Sequence, residues 1–198
     1  GKPAKARCVC AMNHNHNDYF RSTTYRYTGV EHFVSQLEVG DYISIVDISS
    51  FYLRLPFARS MLKYFVFKDA FKQGRAAWAV HSRLPFGASL SPFYSSVVSA
   101  EVVDALCGRA RAAWRRYKSM RPRARRRLSS HARAFAQWGR QCKVCSYVDD
   151  IALGGATKEQ TAAAVRELVR ILRRVGLPSV DKDGTWEPKR SQKFLGVW

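Results

Sequence analysis

Asp149 and Asp150 interrupt an apolar stretch, with Val144-Cys-Ser-Tyr-Val148 running up to them and Ile151-Ala-Leu153 and two glycines running away. β-Branched and aromatic residues on both sides of a polar pair read as strand, tight turn, strand. Carboxylates adjoining hydrophobic strands are costly unless something compensates them. Two neighbouring carboxylates also repel each other unless a cation lies between them. A third acid has a similar setting: Tyr42-Ile-Ser-Ile-Val46 reads as a buried strand that delivers Asp47 at its end. Magnesium takes hard oxygen ligands, often one or two carboxylates plus substrate phosphates. Two such ions about 4 Å apart stabilise the attacking and leaving oxygens of a phosphoryl transfer. By residue type alone the bland alternative stays open, because an Asp after a strand is usually a turn or capping residue.

The charge points to a polyanionic partner. The chain of 198 residues carries a formal charge of +19, with a pI near 10.3. Nucleic acid is the commonest polyanion such a field attracts, with anionic membrane surfaces the alternative. A hydrophobic fraction of 46% excludes a disordered chain and supports one domain, or one domain plus a small lobe. No stretch reaches the roughly 18 apolar residues of a membrane span, so no membrane partner is expected. Five cysteines, an odd number without a signal peptide, suggest a reducing intracellular setting, cytoplasm and nucleus not being distinguished. The opening Gly-Lys-Pro and the abrupt end at Trp198 read as a segment of something longer.

The remaining elements follow from local patterns. Thr28 and Glu31 form a capping box, predicting a short helix that ends near Gly40. Lys63–Phe67 and Ala76–Val80, on either side of Gly74, read as a hairpin. Ser91-Pro92 predicts a helix start, with Phe93, Val97, Ala100 and Asp104 on one mostly apolar face. Residues 107–143 are the most basic segment and read as a partly helical insertion. Thr157 and Gln160 form a second capping box, before a helix with Val165, Leu168, Val169 and Leu172 at amphipathic spacing and a stop at Gly176. A turn at Asp181–Gly184 and a strand at Phe194–Trp198 complete the chain. The order of elements suggests an α+β sheet with helices on one face.

Five stretches in order resemble the reverse transcriptase family. Tyr147-Val-Asp-Asp150 resembles its Tyr-X-Asp-Asp box, and Val46-Asp-Ile-Ser-Ser-Phe-Tyr52 its first palm motif. Leu84-Pro-Phe-Gly87 with Ser91-Pro92 resembles the second, Gly176-Leu177 with Lys182 the fourth, and Phe194-Leu-Gly196 the last. The resemblance implies a right-hand polymerase palm, an antiparallel sheet of ferredoxin-like type, plus part of the fingers and no thumb. It divides the chain into partial fingers (1–40), palm with the first motif (41–62), fingers hairpin (63–83), palm with a basic insertion at about 107–143 (84–190) and a palm–thumb junction (191–198).

The implied activity is RNA-directed DNA polymerisation for a retroelement, from dNTP to a primer 3′-hydroxyl on an RNA or DNA template. Asp47, Asp149 and Asp150, with the Ile48 carbonyl, would hold two Mg2+ ions, or Mn2+ in their place. Ser50 and Phe51 would offer backbone N–H groups to the phosphates. Tyr52 would exclude a 2′-hydroxyl, and Phe86 and Gly87 would line the nucleotide. Arg7, in Lys5-Ala-Arg7-Cys-Val9, would clamp the triphosphate, and Lys182 would donate a proton to pyrophosphate, with Lys189 and Lys193 as competitors. Arg121, Arg123, Arg125, Arg126 and Arg127 would follow nucleic-acid phosphates, with Trp114 or Trp138 stacking on bases. Long spacing between the second and third motifs suggests an unusual retrotransposon branch, such as one of the DIRS or VIPER kind.

Two alternatives are kept. An inactive relic that binds RNA or protein would keep the fold, but the three aspartates argue against decay at the centre. An RNA-dependent RNA polymerase usually has Gly before its Asp pair and a smaller or polar residue near the sugar, and Tyr147 and Tyr52 speak against it. A zinc site from Cys8, Cys10, His14 and His16, or from Cys142 and Cys145, is disfavoured, the first set being very compact and the second lying on a strand. Oligomeric state is not legible.

Overall fold

The computed structural model describes residue 17, residues 29–68, residues 78–192 and residue 194. In chain order its elements are α1 (Val30–Gln36), β1 (Tyr42–Ile48), β2 (Val66–Lys68), β3 (Trp78–Val80), α2 (Leu90–Ser119), α3 (Pro122–Arg126), α4 (Ser130–Trp138), β4 (Lys143–Tyr147), β5 (Asp150–Gly155), α5 (Lys158–Arg174) and β6 (Ser179–Val180). They form two compact units, one of residues 1–24 and 50–95, the other of residues 25–49 and 96–198.

The larger unit is built on an antiparallel sheet in the order β4-β5-β1-β6. β1 and β5 are central and almost wholly buried, which explains their continuous apolar runs. Side chains alternate between the two faces. On one face Ile45, Cys145 and Ala152 join Phe33 of α1 and Phe194 in a single cluster. The other face meets α5, whose Leu168 and Leu172 are fully buried, each contributing about 2 kcal/mol of hydrophobic stabilisation. Two glycines mark the two faces. A Cβ at Gly154 would meet Leu37 at 2.5 Å, and one at Gly155 would meet the Thr161 hydroxyl at 2.8 Å.

α5 starts as its capping box predicts: the Thr157 hydroxyl accepts from the Gln160 amide at 3.2 Å. It ends before Gly176, which has φ +75°. α1 runs only from Val30, is capped by Gly29, and ends at Gln36 rather than near Gly40, whose φ of +92° serves the turn into β1. Thr28, the expected cap, lies outside the described residues.

α2 differs most from expectation. It is 30 residues long and absorbs the start of the basic segment. The predicted face of Phe93, Val97, Ala100 and Asp104 is incorrect, because Val97, Ala100 and Asp104 are exposed. The buried face is Ser91, Ser95, Ser99, Val102, Leu106 and Ala110. Its serines read as polar in sequence, yet they satisfy themselves locally. Ser95 donates to the Pro92 carbonyl and Ser99 to that of Ser96. Ser91 is no cap either, since its hydroxyl donates to the Pro85 carbonyl at 2.7 Å. The C-cap of α4, Gly139, meets α2 so closely that a Cβ there would sit 2.0 Å from the Ala110 carbonyl oxygen.

The smaller unit holds the β2–β3 hairpin, paired from Val66↔Val80 to Lys68↔Trp78. Part of the predicted first strand is a 3-10 helix, Arg59–Tyr64. Gly74, Ala76 and Ala77 lie outside the described residues, as do Lys5, Arg7, Cys8, Cys10, His14, His16, Lys193 and 195–198.

Candidate active site

Strand register decides the relation of the acids. β1 and β5 pair antiparallel from Tyr42↔Gly155 to Asp47↔Asp150, so these two aspartates are direct cross-strand partners. Directly opposite residues share a face, with Cβ atoms about 5 Å apart. Asp47 lies inside β1 rather than beyond it, and is 4% exposed. Asp149 occupies the turn between β4 and β5, and its carbonyl accepts from the Ile48 amide at 2.8 Å. The tip of the hairpin is thereby fastened to the end of β1. Acids a hundred residues apart in sequence meet at one edge of the sheet.

The electrostatics show carboxylates crowding one another. Burial first, then the charges of Asp149 and Asp47, push the Asp150 carboxyl up to about 6, while Lys182 opposes the shift. The Lys182 ammonium forms an ion pair with the Asp47 carboxylate. A cation is thus already drawn to the most buried acid. The donor set is hard oxygen, and three carboxylates act on one another here, so the residues fit divalent cations. Among the described residues no three acid, imidazole or thiol groups converge into a preformed cage. Any ion held here would need further oxygens from substrate or water.

Backbone strain gathers around this edge. Val148 in the turn has φ +52°, which a β-branched residue rarely adopts. Ser50, just after β1, has φ +53°. Asp183 and Gly184 are both left-handed, at φ +56° and +71°, forming the two centres of a hairpin-type turn just after Lys182. The turn is closed by the Thr185 amide donating to the Lys182 carbonyl at 3.2 Å. Each such non-glycine residue costs of order 1 kcal/mol and persists where its surroundings over-determine it.

In the smaller unit the structure joins two other candidates. The rings of Tyr52 and Phe86 meet edge to face, with centroids 5.1 Å apart. Tyr52 opens a 3-10 turn that Phe51, itself buried, precedes. Gly87 has φ +101°, a conformation that L side chains rarely adopt. Asn17 fixes that loop, donating to the Gly87 carbonyl at 3.1 Å and accepting from the Ser89 amide at 2.9 Å. Sequence reasoning missed Asn17, since nothing local marks an Asn that acts 70 residues away.

The arginine run is helical. Arg121 precedes α3, and Arg123 and Arg126 lie on it. Arg121, Arg123, Arg126 and Arg127 are exposed. Arg125 instead turns inward, bonding the Met120 and Lys118 carbonyls and covering the Tyr117 ring at 5.1 Å. Trp114 stacks near Tyr117, whereas Trp138 is buried and donates to the Gly154 carbonyl at 2.7 Å. Trp138 is therefore a core residue, which corrects its assignment as a stacking platform. Cys142 and Cys145 face different neighbours, the first the Cys107 and Gly139 carbonyls, the second that of Gly29.

An antiparallel sheet that presents a carboxylate pair across its two central strands, beside a turn acid, has the form of a polymerase palm. The family model for reverse transcriptase (RNA-dependent DNA polymerase) matches residues 5–198, and the chain belongs to that family. Among solved structures it is similar to a foamy viral protease–reverse transcriptase in complex with double-stranded DNA, at a TM-score of 0.59 and 15% identity. The match covers 91% of this chain and 25% of that one, so the chain spans about a quarter of that longer protein. At this identity the likeness concerns the fold. No curated protein matches the sequence significantly.

Proposed function

We propose that this chain is the catalytic core of an RNA-directed DNA polymerase from a retroelement, transferring nucleotides from dNTP to a primer 3′-hydroxyl with two divalent cations, Mg2+ or Mn2+. The observation that carries this reading is the cross-strand pairing of Asp47 with Asp150, with Asp149 fastened to the same edge. Asp47, Asp149, Asp150 and the Ile48 carbonyl would hold the ions. Bound there, the ions would supply a polarised primer hydroxyl and neutralise the triphosphate.

The protein's own contribution is position and charge. The ladder fixes Asp47 and Asp150, and the strained turn fixes Asp149. Lys182, which pairs with Asp47, would give a proton to the departing pyrophosphate. Tyr52, braced by Phe86, restricts the sugar to the deoxy form. Ser50, Phe51 and Gly87 offer backbone to the nucleotide, and Arg7 clamps its phosphates. The exposed arginines Arg121, Arg123, Arg126 and Arg127 follow the template–primer backbone, while Arg125 shapes their helix.

Primer extension on a primed RNA template, with the full-length protein, tests the reading. Activity with Mg2+ or Mn2+ that disappears in Asp149→Asn, with folding and RNA binding kept, supports it. Binding of RNA without any extension would instead identify a relic. A Tyr52→Val variant should admit ribonucleotides, and unchanged sugar selectivity would remove Tyr52 from the gate.

A further inference from the structure

The side of the sheet that carries α5 holds a groove of about 360 Å³, lined by Val165, Arg166, Val169, Arg170, Arg173 and Trp186. Its acids and its basic groups are unequal. Arg166, Arg170 and Arg173 recur at i, i+4 and i+7, so they form one row along the helix. The row rises about 6 Å from the first to the second and about 10 Å from the first to the third. Beneath it, Glu167 is buried and paired with Arg109 at 2.8 Å and Arg170 at 2.6 Å. Arg109 and Arg170 therefore share one buried carboxylate. Asp181 is engaged with the Trp186 amide, and Glu187 is paired with Lys158.

The arginines keep most of their donors. A guanidinium has five N–H groups. Arg170 meets Glu167 through Nη2, and Arg166 meets His131 through Nε. The surplus positive field is felt locally: burial first, then Arg166 and Arg170, hold the His131 imidazole below its ordinary value, against the pull of Glu167. The floor of the groove is apolar, from Val165 and Val169, and its wall is aromatic. The Trp186 indole N–H is buried and finds no acceptor among the described residues.

A row of forked cations beside an indole and an apolar floor suits a nucleotide, its phosphate on the guanidiniums and its base on the aromatic wall. The volume is that of a small-ligand site. We propose that this groove is a second nucleic-acid site, which takes a nucleotide of a single strand on the face of the sheet opposite the aspartates. An acidic peptide could match the charge, but it would leave the aromatic wall and apolar floor without a planar partner. The proposal does not depend on polymerase activity, because none of its residues belongs to the acid cluster.

The test is photo-crosslinking of single-stranded oligodeoxyuridylate carrying 5-bromouracil to the full-length protein, with excess hairpin primer–template duplex present to fill the face with the aspartates. The expected product is a crosslink within the peptides that carry α5 or Trp186. An Arg166→Gln/Arg173→Gln variant leaves the Glu167 pairs intact, and should lose about tenfold or more of single-strand affinity while its thermal unfolding stays unchanged. The Arg→Lys double variant should recover only part of that loss, because it keeps charge without the fork. Crosslinks elsewhere only, or unchanged single-strand binding in the Gln variant, would overturn the proposal. So would polyglutamate displacing the oligonucleotide at equal charge concentration. Asp149→Asn should crosslink like the wild type, so failure here and failure of the polymerase reading are separable.

Discussion

The two ends of β1 carry buried acids under opposite conditions. At its start Asp41, 6% exposed, faces Lys143, 3% exposed, at 2.7 Å. The Glu38 amide also donates to Asp41, at 2.8 Å, and Glu38 approaches Lys143 at 3.3 Å. Charge there is closed within the protein. At the far end Asp47, Asp149 and Asp150 gather, and Lys182, half exposed, pairs with Asp47. One end is a finished ion pair that fastens β4 to the start of β1. The other brings three carboxylates together at a strained edge. The difference separates an acid closed into an ion pair from acids crowded enough to raise a carboxyl's hold on its proton.

Several changes should break or sharpen that contrast. The largest effect should come from Asp149→Asn, which is expected to lower primer extension by about a thousandfold or more while circular dichroism stays unchanged. Next, Lys143→Ala strands Asp41 as an uncompensated buried charge. It should cost about 3 kcal/mol in denaturant unfolding, with little change in turnover per folded molecule. Loss of turnover in Lys143→Ala without loss of stability would reverse the assignment of the two ends.

Asp150→Asn should act the other way on stability. Because its carboxyl is pushed up to about 6 in the fold, the native state binds a proton more tightly than the unfolded chain. That stabilisation is complete below the ordinary carboxylate value near pH 4 and is lost as pH rises through about 6. The Asn variant should therefore melt higher than the wild type at pH 7.5 without metal, and the gain should vanish near pH 4. Saturating Mn2+ should also shrink it. The smallest effect belongs to Lys182→Gln. Removing the ammonium that competes for Asp47 should tighten Mn2+ binding a few-fold in the absence of substrate, read by calorimetric titration.

Much of this arrangement was legible from residue patterns. β1, the β4–β5 hairpin and α5 have strong periodicity and clear stops, and the acids stand out because charge beside apolar strands is expensive. The turn was placed one residue late. It is Val148-Asp149, with Asp150 already on β5, because a left-handed Val has no sequence signature. The Asp41–Lys143 pair was invisible, since its members lie 102 positions apart and each reads as an ordinary surface charge. Arg- and Ala-rich sequence disguised the second half of α2 as an insertion, although both are good helix formers. The serine stripe was missed because hydroxyls that bond their own helix can be buried at little cost.

The account rests on the acid edge binding two divalent cations. Electron paramagnetic resonance of Mn2+, added to full-length protein with a non-extendable primer–template and dNTP, reads this directly. Wild-type protein should hold two tightly bound ions, and Asp47→Asn/Asp149→Asn should hold neither, with its fold intact. Equal Mn2+ binding in wild type and double variant would contradict the account.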